Sequence, residues 1–194
     1  GTPKYNEYVD DIHQSGAVML ALVNDILDIA EIEAGKRPIQ KSLHELLPLL
    51  DICRKSFITQ AESKKIDLRL EVPAADLRIF GDHVSIIQIV TNLVANAIKY
   101  TPAGGHVMMS AEETDDHITV RVRDNGIGIP AEKLPTIAEP FAQVRNDPHL
   151  SRDGKGLGLA IVKSLIDAHD GQLTIDSTPG DGTTMTVHFP KTTP

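Results

Sequence analysis

Residues 152–173 read RDGKGLGLAIVKSLIDAHDGQL, a run of alternating glycines followed by a helical pattern. Gly154, Gly156 and Gly158 alternate with Lys155 and Leu157. Glycines at this spacing leave backbone N–H groups directed at an anion, and a helix starting at about residue 157 adds its positive end. The stretch therefore indicates a phosphate cradle, although a glycine run taken alone is weak evidence.

The composition limits the class of protein. The 194 residues are 41% hydrophobic and carry a net charge of −8, with a single cysteine, Cys53. One cysteine excludes an internal disulfide and fits a reducing compartment, so we expect a cytoplasmic location, which a membrane-anchored parent protein would also allow. No apolar run approaches the roughly 18 residues of a membrane span. Without such a span we expect no membrane contact by this fragment, and without a basic stripe we expect no contact with nucleic acid.

A long amphipathic pattern opens the chain and predicts a helix over residues 2–34. Thr2 is a suitable N-cap, Pro3 suits the first helical position, and Gly35 suits the position after the helix. At about 45 Å the helix is too long for a small core, which favours a helical bundle or dimer stalk over packing on its own domain. The apolar seam consists of Val9, Ile12, Gly16, Met19, Val23, Ile26 and Ala30, widened by Leu20 and Leu27.

The pattern after residue 38 predicts an α+β domain with a mostly antiparallel or mixed sheet. Residues 125–155 show no sustained period, and so long an irregular stretch inside a compact domain is typical of a functional lid. Eight elements are expected: helices over 43–64, over 82–100 and from about 157; a strand over 66–72; a hairpin of strands 107–111 and 118–122; and closing strands at 173–175 and 185–189.

Residues 88–102, QIVTNLVANAIKYTP, place polar side chains along one face of a predicted helix. We call Gln88, Asn92, Asn96 and Lys99 the polar line. Amide oxygens suit Mg²⁺, and a lysine can meet a phosphate as a point charge. Taken alone, such a line is more often an ordinary solvated helix face.

Residues 122–130, VRDNGIGIP, follow an alternating strand. Asp124 emerges at the carboxyl end of that strand, where a fixed carboxylate can accept a hydrogen bond from an exocyclic amine such as that of adenine. Gly126 and Gly128 permit close backbone approach. An Asp-Asn-Gly turn without a ligand is the more common interpretation of this motif by itself.

The order of the motifs resembles the ATP-binding domain of the histidine kinase family, shared more loosely with gyrase, heat-shock chaperone and mismatch-repair ATPases. Asn-x-x-x-Asn-Ala-x-Lys, Asp-x-Gly-x-Gly-Ile, Glu139-Pro140-Phe141, Gly-x-Gly-x-Gly and Gly182-Thr183 match its N, G1, F, G2 and G3 boxes. The resemblance implies a two-layer α/β sandwich of the Bergerat type, with helices on one face of a mixed sheet, preceded by one long helix. It implies a partial dimerisation and phosphotransfer helix over 1–36 and an ATP-binding domain over 37–194, with a lid over about 126–155.

The resemblance also implies ATP and Mg²⁺ as ligands and assigns their contacts residue by residue. Asp124, with Gly126 and Gly128, matches the adenine-binding aspartate, and Thr183 lies near the adenine. Asn96, with Asn92 one turn before it, matches the Mg²⁺ ligand. Further ATP contacts are Lys99 and Tyr100 beside the phosphates, Phe141 in the lid, and Gly154, Lys155, Gly156, Leu157 and Gly158 in the glycine box.

A catalytic residue is not assigned, because the family's acceptor is a histidine followed by an acidic residue and Arg-Thr-Pro. His13 is followed by Gln14 instead, and the eight histidines are scattered, without metal-site spacing and mostly expected to be exposed. Residues 1–36 resemble the second helix of the family's hairpin, so we expect a fragment whose acceptor, a histidine or a substitute, lies on the first. The implied partners are a second copy of the parent, joined through the hairpin, and a response regulator receiver domain.

Two other functions stay open at this stage. One is a nucleotide-sensing module of an atypical or phosphatase-biased kinase without autokinase activity. The other is a hydrolytic ATPase of the wider superfamily. Asn92 stands where those ATPases hold a water-activating glutamate, and an amide is no general base at neutral pH, which favours transfer to a docked acceptor.

Overall fold

The computed structural model describes residues 3–73, 76–142 and 156–191. The chain divides between Arg37 and Pro38 into two compact units. Within the described ranges, no helix combines the length and apolarity that a membrane crossing requires.

The first unit is the helix α1, Pro3–Glu33, as the amphipathic pattern predicts. Gly35 follows its last turn, has φ +63° and donates its N–H to Ile32 O at 3.0 Å. This left-handed residue closes the helix in the way expected of a glycine after the last turn. The large side chains of the predicted seam are exposed within this chain, namely Val9, Ile12, Met19, Leu20, Val23, Ile26 and Leu27.

The second unit contains three α-helices and seven strands among its described residues. The helices are α2 (Leu46–Ser63), α3 (His83–Tyr100) and α4 (Gly158–Asp167). The strands are β1 (Lys41–Glu45), β2 (Asp67–Glu71), β3 (Arg78–Asp82), β4 (His106–Glu113), β5 (His117–Asp124), β6 (Gln172–Thr178) and β7 (Gly182–Pro190).

The main sheet is mixed, as predicted. Its order is β2-β4-β5-β7-β6, with β2 parallel to β4 and every other neighbouring pair antiparallel. The helices α2, α3 and α4 pack side by side and against this sheet. The α+β prediction and the Bergerat-type arrangement of helices on a mixed sheet are therefore confirmed.

A second, two-stranded sheet corrects the predicted start of α2. Residues 43–45 were expected to be helical, but they form the end of β1, where Leu43 pairs with Phe80 of β3. Strand β3 was absent from the prediction. Five residues with two consecutive large apolar side chains, Ile79 and Phe80, give too few alternations to indicate a strand, and pairing with a distant segment decides both elements.

Helix α3 is the centre of the core. Its N-cap is Asp82, as predicted, and Asp82 Oδ1 accepts hydrogen bonds from Ser85 N at 2.9 Å and Ser85 Oγ at 2.7 Å. The apolar stripe of α3 is buried, and α3 packs against β4 and β5, where Val107 and Val120 are also buried. With that face committed to the core, the polar line points away from it. Fully buried members of α3 are Ile86, Ile89, Val90, Leu93, Val94 and Ile98.

Candidate nucleotide site

The polar line of α3 lies on a half-exposed face of the helix. Asn92, Asn96, Lys99 and Tyr100 are all partly accessible, whereas their neighbours on the opposite face are buried. Asn92 Nδ2 donates to Gln88 O at 2.9 Å, which fixes the orientation of the Asn92 amide. Lys99 Nζ lies 4.9 Å from the centroid of the Tyr100 ring. The predicted face therefore offers an oriented amide oxygen and a cation.

The start of α4 lies directly against this face. A Cβ atom placed on Gly158 would be 3.0 Å from Asn92 Oδ1 and 3.9 Å from Asn96 Nδ2. Leu157, the residue before the helix, is buried and anchors this end, and it supplies no side-chain cap to the first N–H groups of α4. The sequence places these residues about 60 positions apart, and the fold brings a helix N-terminus and two amides together.

The predicted lid is described as far as residue 142. It contains a short 3₁₀ helix, Ala131–Lys133, and the buried side chains of Ile129 and Ile137. Phe141 has φ +64° and an exposed ring, and its N–H donates to Gly156 O at 2.8 Å. The aromatic residue and the glycine box are thus joined by the backbone. Gly154 and Lys155 lie outside the described residues.

Asp124 ends β5 as a buried carboxylate, 7% exposed. Asp124 Oδ1 accepts a hydrogen bond from Gly126 N at 2.8 Å. Burial raises the pKa of Asp124, and backbone hydrogen bonds involving Gly126 and Thr183 oppose that rise by favouring the ionised form. The carboxylate is therefore held in one orientation at the carboxyl end of β5, the central strand of the main sheet.

The loop that follows Asp124 is clamped from two sides. Ile127 N donates to Tyr100 O at the end of α3 at 3.2 Å, and Ile127 O accepts from Gly180 N at 2.9 Å. A Cβ on Gly126 would be 2.6 Å from Tyr100 O, and one on Gly128, where φ is +71°, would overlap the carbonyl of Thr178. Only glycine fits either position. We call residues 124–128 the Asp124 loop.

Thr183 lies beside the Asp124 loop, since Asp124 and Thr183 pair in the register of β5 and β7. Thr183 Oγ1 is 2.8 Å from Ser177 Oγ. Ser177 Oγ also donates to Gly182 O at 2.9 Å and accepts from Ile129 N at 2.8 Å. Ser177 thus links the lid's first residues to β7, a role that the sequence did not predict because a serine in an alternating strand carries no distinguishing signal.

The fold gathers the described site residues into two connected groups. Asn92, Asn96 and Gly158 form one, and the Asp124 loop with Thr183 forms the other; Tyr100 O joins α3 to the second. Among the described residues, no three His, Cys, Asp or Glu side chains are grouped so as to hold a metal ion.

A family model described as histidine kinase-, DNA gyrase B-, and HSP90-like ATPase matches residues 81–193, more than half of the chain. The circadian input-output histidine kinase CikA of Thermosynechococcus vestitus is 39% identical over 191 residues, covering 97% of this chain and 26% of CikA. The histidine protein kinase DivJ of Caulobacter vibrioides is 35% identical over 187 residues, covering 96% of this chain and 31% of DivJ. The chain thus spans about a quarter to a third of these curated relatives.

Solved histidine kinase structures share the fold. Full-length ShkA in complex with AMPPNP has a TM-score of 0.86 and 28% identity, covering 99% of this chain and 40% of ShkA. The nucleotide-free catalytic domain of ThkA has a TM-score of 0.70 and 28% identity, covering 78% of this chain and 96% of that domain. ThkA in complex with the response regulator protein TrrA has a TM-score of 0.73 and 22% identity, covering 99% of this chain and 53% of ThkA. At that identity the match shows the fold alone.

The matched residues 81–193 include the polar line, the Asp124 loop, Thr183 and the start of α4. With a mixed sheet, a helix layer and these two residue groups in place, the chain belongs to the histidine kinase-, DNA gyrase B- and HSP90-like ATPase family.

Proposed function

We propose that this chain is the ATP-binding catalytic portion of a sensor histidine kinase, which binds Mg-ATP and donates the γ-phosphoryl group to a histidine outside residues 1–194. The observation that carries the proposal is the contact between Gly158 and Asn92, because it sets the positive end of α4 against an oriented amide oxygen. A helix N-terminus favours phosphate, and an amide oxygen favours a hard cation.

The Asp124 loop supplies the adenine end of the proposed site. Asp124 accepts a hydrogen bond from the exocyclic amine of the base, and its fixed orientation makes that acceptor selective for a purine with an amine at this position. Gly126 and Gly128 let the backbone come close to the base, and Thr183 lies beside the same carboxylate. The cost of holding a charge at a buried position is offset by backbone N–H donors.

The residues of α3 and α4 supply the phosphate end. Asn96 and Asn92 offer amide oxygens to Mg²⁺, which neutralises phosphate charge when it is bound. Lys99 and Tyr100 approach the phosphates from the last turn of α3. Phe141 belongs to the lid. We propose Gly154, Lys155, Gly156, Leu157 and Gly158, the glycine box, as further contacts of the phosphates.

Transfer to a docked histidine suits these residues better than hydrolysis. In the transfer the bond between the γ-phosphorus and its bridging oxygen breaks, a phosphorus–nitrogen bond to the imidazole forms, ADP leaves, and the imidazole proton passes to the acidic residue that follows the acceptor histidine. Positioning and charge neutralisation carry such a reaction, and no general base on this chain is needed. Asn92, next to Gly158, cannot take a proton from water at neutral pH.

The helix α1 supports a homodimeric parent. Its exposed seam, from Val9 to Leu27, is regular enough to pack against partner helices of a hairpin bundle. We propose residues 1–36 as part of that dimerisation and phosphotransfer element, residues 37–194 as the catalytic domain, a cytoplasmic location for both, and a response regulator receiver domain as the next phosphoryl acceptor.

The test supplies radiolabelled ATP, Mg²⁺ and a separate histidine-bearing helical hairpin to the purified chain. Label on the hairpin, dependent on Asp124 and Asn96, is the expected result. Calorimetry on the same protein measures Mg-ATP binding directly. Failure to bind Mg-ATP overturns the proposal, and binding with fast phosphate release to water but no hairpin labelling would favour a hydrolytic ATPase.

A further inference from the structure

Lys64 joins two helices through its side chain. It is the C-cap residue of α2 and is half-buried. Its Nζ donates to the carbonyl oxygens of Ile98 at 2.7 Å, Lys99 at 3.0 Å and Thr101 at 3.3 Å. One ammonium group therefore uses all three of its donors on consecutive or near-consecutive carbonyls at the end of α3.

Those carbonyls belong to the part of a helix that lacks partners of its own. The last four C=O groups of an α-helix have no N–H within the helix, and together they form the negative end of the helix dipole. A cation that satisfies them stabilises the last turn by charge and by hydrogen bonding. Here the cation comes from a different helix, so it also fixes the end of α3 relative to α2.

The same turn supports the proposed nucleotide site. Tyr100 O, which lies between the carbonyls of Lys99 and Thr101 along the chain, accepts the hydrogen bond from Ile127 N in the Asp124 loop. Lys99 and Tyr100 themselves are proposed phosphate contacts. The two carbonyls that flank Tyr100 O are thus held by Lys64, while Tyr100 O holds the loop that carries the adenine-binding carboxylate.

We propose that Lys64 is a positioning residue of the nucleotide site, acting through the last turn of α3. It fixes the direction of Tyr100 O and thereby the Asp124 loop, and it touches no ligand itself. This inference rests on the proposed function, since it assigns to Lys64 the positioning of residues that contact the nucleotide in the same site. Loss of the ammonium loosens the loop without removing any group that contacts ATP.

The first test compares Lys64→Met with Lys65→Met in the full chain. Both remove one positive charge at adjacent positions, and Lys65 is exposed. We expect Lys64→Met to weaken Mg-ATP and Mg-ADP binding by the same factor, about three- to tenfold, because the loop lies at the adenine end. Lys65→Met should bind like the wild type. Calorimetry is done well below the unfolding temperature of each variant, measured in the same buffer.

A local measurement separates positioning from general stability. Amide exchange at Ile127 should quicken in Lys64→Met, because its acceptor, Tyr100 O, is no longer fixed. Exchange at Val120 in the centre of β5 should keep its wild-type rate under the same conditions. Equal acceleration at both amides would indicate global destabilisation and overturn the positioning role.

Chemical rescue provides the sharpest control. Lys64→Cys alkylated with 2-bromoethylamine regains an ammonium on a side chain of lysine length, whereas alkylation with bromoethane leaves it neutral. Cys53 is buried, and burial raises the pKa of its thiol to about 11, so labelling of the folded chain is selective.

We expect aminoethylation to restore ATP affinity and the slow exchange of Ile127, and ethylation to restore neither. Wild-type affinity in Lys64→Met, or equal rescue by both reagents, overturns the inference about Lys64 while leaving the nucleotide site in place. A wild-type chain that fails to bind Mg-ATP overturns the proposed function itself, so the two failures are distinguishable.

Discussion

Gly158 and Asn92 are separated by 66 positions in the chain, yet a Cβ atom on Gly158 would lie 3.0 Å from Asn92 Oδ1. That distance is shorter than an ordinary van der Waals contact of a Cβ atom. The space between the first residue of α4 and Asn92 therefore fits the hydrogen atom of glycine but is tight for a methyl group. The contact couples the glycine box to the amides that we propose as cation ligands.

Gly158→Ala tests that contact. Gly158 has no positive φ, and alanine favours a helix more than glycine does, so the fold should tolerate the change. The added methyl group displaces Asn92 Oδ1, and we expect Mg-ATP affinity to fall about tenfold, equivalent to about 1.4 kcal/mol. Calorimetry with and without Mg²⁺ measures the effect.

The matched control is Gly16→Ala in α1, where a Cβ atom would meet nothing within 4 Å. It should leave nucleotide affinity unchanged. If Gly158→Ala binds Mg-ATP as the wild type does, Asn92 can move without consequence and the proposed role of this contact is wrong.

Asp124→Asn tests the adenine contact. The amide keeps an oxygen for the hydrogen bond from Gly126 N, so the loop should stay folded, but an NH2 group replaces the other oxygen and cannot accept from the adenine amine. We expect ATP affinity to fall about tenfold or more, a loss of at least about 1.4 kcal/mol. Asp115→Asn, at an exposed turn between β4 and β5, is the control. Equal affinity in the wild type and Asp124→Asn would refute the assignment of the adenine end.

The local signals in the sequence predict most of this fold. Long amphipathic α1 and α3, the Asp82 cap and the hairpin of β4 and β5 depend on near-neighbour patterns, and each was predicted. Residues 43–45 and β3 were not, because their conformation depends on pairing between Leu43 and Phe80, which are 37 positions apart in the sequence. Short strands of this kind are decided by tertiary contacts rather than propensity.

The residues of the candidate site likewise divide into those that sequence motifs predict and those that only the fold brings together. Asp124, the polar line and the glycines were predicted because spaced motifs identify them. Ser177 accepts a hydrogen bond from Ile129 N, and Lys64 donates to carbonyl oxygens at the end of α3; no spacing in the sequence indicates either contact. His169 was included among histidines expected to be mostly exposed, yet it is buried.

We expect the buried His169 ring to make the stability of the fold depend on pH. Its Nε2 accepts a hydrogen bond from Asp82 N at 3.0 Å, so the proton of the neutral ring lies on Nδ1, 2.7 Å from Leu165 O. Burial lowers the pKa of His169 below its usual value of 6.5; Lys41 lowers it further, while the Leu165 carbonyl, Asp82 and Asp170 oppose the fall. A group whose pKa is lowered in the fold binds a proton more readily when unfolded. The contribution of the neutral His169 ring to the free energy of unfolding is therefore fully present above about pH 6.5, and it is lost progressively as the pH falls below that value.

Urea unfolding between about pH 7.5 and pH 5.5 should show this loss, at most about 1.4 kcal/mol per pH unit for one proton. His169→Gln, which can keep an acceptor for Asp82 N and does not titrate, should reduce the slope. His188→Gln is the companion variant, because partial burial, His117 and Arg121 also lower the pKa of His188. An unchanged slope in His169→Gln would show that the buried ring is not the titrating group.

Self-labelling of the chain tests where the phosphoryl acceptor lies. His13 is exposed on α1 and is followed by Gln14, so no acidic neighbour follows it to receive the imidazole proton. The nucleophile must also lie in line within about 3–3.5 Å of the γ-phosphorus, a geometry that a residue on a bundle helix attains only when its helix docks at the site. Incubated with radiolabelled ATP and Mg²⁺, the chain should therefore acquire no label on any of its eight histidines.

Adding a hairpin that carries a histidine followed by an acidic residue should give labelling of the hairpin. Release of free phosphate should stay slow in both mixtures, because Asn92 cannot activate water. His13→Ala is the control: strong labelling of the wild type that disappears in this variant would make His13 the acceptor and overturn transfer to a separate helix.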